Sequence, residues 1–86
     1  MRNFGYEISK MQDSTDWRQE ARRLLQVELA RKDMGYKELS RALETTCGVD
    51  IDSKALSNKV GRGTFSFAFF LQCMKALDVK TVSLAG

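Results

Sequence analysis

A chain of 86 residues with 43% hydrophobic content can bury one small core and not two, so a single domain is expected. Histidine and proline are absent, and Cys47 and Cys73 lie far apart, so neither a zinc site nor an imidazole acid–base pair can be assembled in the usual way. Both cysteines read as free thiols, Cys73 in the core. The formal net charge of +3 suits a polyanionic partner and is also common among ordinary domains.

No uncharged apolar run approaches the roughly 18 residues that would span a bilayer, and MRNFGYEISK lacks the apolar stretch of a signal peptide. A cytoplasmic protein is expected, with no membrane attachment, cofactor, metal or small-molecule substrate. Residues 1–13 read as an N-terminal arm and residues 14–86 as the domain.

The first predicted helix starts at Ser14 or Thr15 within the cap-rich DSTD, has Asp16 to match the helix dipole, and ends at Lys32. Trp17, Ala21, Leu24, Leu25, Val27 and Leu29 cover more than half its circumference, which predicts burial on two sides. Asp33, Met34 and Gly35 interrupt the pattern, and YKELSRAL restarts it around Leu39 and Leu43 as a short second helix ending near Glu44. TTCGVDID follows as a polar turn.

The third helix is predicted over residues 53–60, capped by Asp52 and stapled by Ile51 against Leu56. Leu56 and Val60 form its inward stripe, Lys54, Ser57 and Asn58 point outward, and Gly61 and Gly63 end it. Ser66 caps a fourth helix, FAFFLQCMKAL, whose core face reads as Phe67, Phe70, Leu71, Met74 and Leu77, leaving Phe69 on the opposite side. Around Phe4, Tyr6 and Ile8, and again around Val82 and Leu84, apolar and polar residues alternate as short terminal strands would, a pattern that loop matches equally well. The fold class is therefore all-α, a compact four-helix domain with room for short strands at its ends.

Charge is distributed unevenly. Residues 53–77 contain Lys54, Lys59, Arg62 and Lys75 and no acid at all. A short helix, a turn and a second helix with a polar, basic outer face is the layout of a major-groove reader, since the groove admits a helix whose long side chains reach base edges. A solvated helix presents a similar surface, so composition alone leaves both readings open.

From residue 24 to 82 the chain resembles the lambda-repressor-like (Cro/Xre) helix-turn-helix family. YKELSRAL is similar to that family's second helix, which commonly reads TQEELAEKL, IDSKALSNKV to its third, and SFAFFLQCMKALDV to its SLETLLKLAKALGV helix, with Ala76, Leu77 and Val79 in register. The run NKVGRGTFSFAFFLQCMKALDVKT also resembles an uncharacterised group of short bacterial helix-turn-helix domains. Three departures stand out: ETTCGVDID is longer than the family's tight turn, Gly35 occupies the place of a Ser or Thr cap, and GRGT is about one residue short.

The resemblance implies a helix-turn-helix DNA-binding domain acting as a bacterial or phage-type transcriptional regulator, a repressor, associated with the nucleoid. It places Ser53, Lys54 and Asn58 at base edges, with Asn suited to adenine and Lys to guanine. It places Tyr36, Lys59, Arg62 and Thr64 at phosphates, which position the protein without specifying sequence. Double-stranded DNA is the expected partner and a homodimer the expected state, with Phe69, Val82 and Leu84 as interface candidates. The competing expectation is a protein-interaction adaptor, antitoxin-like, that keeps the fold and binds a protein partner; structured RNA is a third ligand class. Catalysis is not expected, because no acid–base pair is forced together by the pattern.

Overall fold

The computed structural model describes residues 14–84, and within them the chain forms four α-helices: α1 (Ser14–Arg31), α2 (Tyr36–Cys47), α3 (Ser53–Arg62) and α4 (Phe67–Ala76). The all-α, four-helix architecture expected from the periodicity is the one observed. α2 packs against α4 and α3, and α1 packs against α3. The shared core holds Leu25, Leu39, Leu43, Leu56, Val60 and Cys73, all fully buried, together with Leu29, Phe69, Met74 and Leu77. Each such aliphatic or aromatic side chain contributes about 1.5–3 kcal/mol by leaving water.

Helix boundaries follow from local chemistry. α1 stops where Asp33 turns left-handed (φ 55°) and the Met34 amide donates back to the Leu29 carbonyl at 3.0 Å. Gly35 has no side chain with which to cap α2. Instead Glu38 reaches back, its Oε1 accepting the Gly35 N–H at 2.9 Å, and its own amide and that of Gly35 hold its carboxyl below the usual carboxylate range.

α2 runs past the expected stop at Glu44 to Cys47. Nothing in ETTC forbids helix, and the helix ends only where Gly48 adopts φ 69° and the Gly48 and Val49 amides close on the Glu44 and Leu43 carbonyls. The connection to α3 is consequently residues 48–52, much tighter than the sequence suggested, and the Ser40 hydroxyl donates to the Ile51 carbonyl to anchor it.

Asp52 caps α3 as expected, its Oδ1 accepting the Ala55 N–H at 2.8 Å, and Leu56 and Val60 point inward. α3 continues two residues beyond Val60, so Gly61 is helical and Gly63 alone provides the left-handed C-cap (φ 67°). Ser66 caps α4 through the Phe69 N–H at 3.0 Å, also as expected.

The register of α4 differs from the reading above. Phe69 is 7% exposed and lies in the core with Cys73, Met74 and Leu77, whereas Phe67 is 73% and Leu71 51% exposed. FAFFLQCMKA is apolar nearly all round, so periodicity admits either face inward; packing on α2 decides between them. Phe69 is therefore a core residue and not the side chain left over on the outer side that the sequence suggested.

After α4, Asp78 turns left-handed (φ 58°) and Val79 folds back on the core, its amide donating to the Met74 carbonyl at 2.9 Å. The strand expected around Val82 and Leu84 is not formed: Val82 packs against the core without regular structure, and Leu84 lies in an exposed turn. Phe4, Tyr6 and Ile8 lie outside the described residues. Among the described residues no helix is long and apolar enough to cross a membrane.

Candidate nucleic-acid interface

Because Leu56 and Val60 fix the inner side of α3, residues spaced by four on its outer side share one stripe. Lys54, Asn58 and Arg62 occupy that stripe and are exposed, while Ser53 and Ser57 are half-buried beside it. Capping by Asp52 rather than by a ligand leaves the first turn of α3 formed in advance.

The remaining predicted contacts divide. Thr64 is exposed just beyond the Gly63 cap. Lys59 is half-buried and turns away from the stripe, its Nζ standing 5.1 Å from the centroid of the Phe69 ring, an attraction worth about 0.5–1 kcal/mol. Tyr36 packs partly on the core and its hydroxyl accepts from Gln26 Nε2 at 3.2 Å, so it joins α1 to the start of α2 and stays half-buried. The three outer residues of α3 thus stand together, Thr64 follows them, and Tyr36 sits at the head of α2.

Sequence reasoning passed over two arginines. Arg18 and Arg22 of α1 border a shallow cleft of about 180 Å³ with Gln19, Gly61 and Arg62, at the point where α1 crosses the end of α3. Their spacing of four residues was visible, but an Arg pair on a first helix reads as a solvated face, and only the packing of α1 on α3 gives it a neighbour.

On another side of the molecule, a wider apolar groove of about 560 Å³ runs between α1 and α4, bordered by Leu24, Phe67, Leu71, Val79, Val82 and Leu84 among others. No cluster of three or more His, Cys, Asp or Glu that could hold a metal ion occurs among the described residues.

The chain matches the model of a domain of unknown function, DUF6471, over residues 17–82. It belongs to this family. The matched span contains α2, α3 and α4 whole, most of α1, and every residue of the outer stripe and the arginine cleft. No curated protein and no solved structure matches the chain.

Proposed function

We propose that this DUF6471 domain is a sequence-specific double-stranded DNA-binding transcriptional regulator of the lambda-repressor-like (Cro/Xre) type, a repressor that acts as a homodimer by occupying an operator. The observation that carries the reading is the exposed Lys54–Asn58–Arg62 stripe on a pre-capped helix, within a segment free of acid from residue 53 to 77. Lys54 and Asn58 offer donors and an acceptor to base edges, while Arg62 and Thr64 lie at the helix end where backbone phosphates pass. Counterion release from the phosphates supplies most of the affinity, and α3 selects the site.

Selection from a random duplex pool at about 150 mM salt, followed by sequencing, tests the reading. A palindromic motif is expected, and Lys54→Ala and Asn58→Ala should each relax one position of the half-site by about 1–3 kcal/mol. Unchanged preference in both variants would reject the placement of α3.

One observation favours the adaptor reading: the apolar groove with its exposed Phe67 and Leu71 also fits a protein partner. An adaptor would leave heparin early as salt rises and would ignore duplex DNA.

A further inference from the structure

We infer that Arg18, Arg22 and Arg62 form a phosphate-binding cleft that grips the phosphodiester backbone of duplex DNA at the wall of the groove entered by α3. This rests on the DNA-binding reading above and adds α1 to the contact surface.

The cleft is positioned by backbone packing. A Cβ placed on Gly63 would lie 2.1 Å from the Arg18 carbonyl oxygen, so the end of α3 sits directly on α1 at the level of Arg18. Arg62, adjacent to that contact, is carried to the same cleft as Arg18 and Arg22. The alignment of these groups is therefore a property of the folded α1–α3 pair.

The lining is strongly biased in charge. It consists of Arg18, Gln19, Arg22, Gly61 and Arg62, with no carboxylate among the described residues. Glu20, a buried acid of α1, is engaged by Arg23, whose Nε and Nη2 donate to its two oxygens at 3.0 and 2.8 Å. The planar donor forks of guanidinium groups match the oxygens of a phosphate. Gly61 adds an open wall, since a Cβ there would meet nothing within 4 Å. At about 180 Å³ the cleft is smaller than the roughly 300–1,000 Å³ typical of small-molecule pockets, and phosphate groups of a polymer passing over it fit better than an enclosed ligand.

Its position relative to the reading stripe completes the argument. Lys54 and Arg62 are eight residues apart on one helix face, about 12 Å at the α-helical rise, which is about the width of the major groove. With Lys54 at the bases, the Arg62 end reaches the phosphates bordering the groove, and Arg18 and Arg22 extend that contact along the strand.

The test is the salt dependence of duplex binding by the full chain, followed by fluorescence anisotropy on one labelled duplex. Arg22→Gln should lower the slope of log Kobs against log salt by about 0.9 and Arg18→Gln/Arg22→Gln by up to about 1.8, with the selected sequence motif unchanged. Arg22→Lys should restore most of the slope, which a packing role would not predict. Lys75→Gln, which removes a charge from the exposed side of α4, should leave it as in the unaltered chain.

A wild-type slope in both glutamine variants, with duplex binding intact, would overturn the cleft and leave the DNA reading standing. Failure of the unaltered chain to bind duplex at any salt would overturn both. Preferential retention of structured RNA, weakened by the same substitutions, would overturn the duplex assignment in favour of RNA.

Discussion

Gly61 and Gly63 are two residues apart and both read as helix terminators in the sequence, yet their surroundings are opposite. Gly61 has ordinary helical neighbours and open space at its Cβ position, whereas Gly63 combines φ 67° with backbone contact to Arg18. A side chain at Gly63 would add the left-handed penalty of about 1–2 kcal/mol. It would also push α3 away from α1, because the atom it meets is a backbone carbonyl that cannot swing aside. Gly63→Ala should thus destabilise by more than about 2 kcal/mol, a fall in Tm of at least about 8 °C for a domain of this size. Gly61→Ala should stabilise by about 0.5–1 kcal/mol by favouring the helical conformation. Thermal melts followed by circular dichroism distinguish the two. Equal effects of the same sign would show that the α1–α3 contact is not held at Gly63.

At the scale of elements, the seam between α2 and α4 decides both what was legible and how the thiols behave. The third helix and its cap, the Leu39–Leu43 and Leu56–Val60 stripes and the Ser66 cap could be read from sequence because polar and apolar residues contrast there. The end of α2 and the register of α4 could not. Thr45, Thr46 and Cys47 carry no break signal before Gly48, and α4 offers apolar side chains to every direction, so its orientation is settled by what α2 presents. The Lys54–Asn58 face was legible from spacing alone, while the arginine cleft exists only once α1 crosses α3. In the α2–α4 seam, Cys47 is half-buried and its thiol donates to the Gln72 carbonyl at 3.5 Å, whereas Cys73 is fully buried and burial, reinforced by Cys47, pushes its thiol up to about 12. Cys73 therefore stays protonated in the folded chain through the pH range where an unfolded thiol ionises, so the unfolded state holds fewer protons above about pH 9 and stability falls as pH rises toward 12. A thiol reagent at pH 8 should label one cysteine of the native protein, Cys47, and both after denaturation, with Cys47→Ser abolishing the native reaction. The alkaline loss of stability should be smaller in Cys73→Ala than in the unaltered chain, which urea titrations between pH 8 and 11 would measure. Rapid native labelling of Cys73 would contradict the packing of this seam.

At the scale of the whole molecule, the described residues present two unlike faces, the polar α3 stripe with its arginine cleft and the apolar groove between α1 and α4. Three large apolar side chains, Phe67, Leu71 and Leu84, are more than half exposed at the groove, in a domain whose other large aliphatic residues are mostly inside. If the proposed regulator pairs through this groove, then of the residues first assigned to the interface Val82 and Leu84 border the contact. The need for a second copy comes from the reading helix itself: α3 has ten residues, too few base contacts for useful selectivity, and a two-fold pair would place two such helices on half-sites about 34 Å apart. Phe67→Ser/Leu71→Ser should then convert a dimer into a monomer in sedimentation experiments at micromolar concentration. Thermal stability should change little when measured under conditions where the unaltered chain is already monomeric, because neither side chain contributes to the buried core. The doubly substituted chain should retain the per-subunit salt dependence of phosphate binding and lose its preference for a palindrome over an isolated half-site, since the two properties arise on opposite kinds of surface. A wild-type chain that is monomeric at high micromolar concentration and binds DNA as a monomer would remove the second copy from the groove, and the exposed aromatic and aliphatic side chains there would then point to a different protein as its occupant.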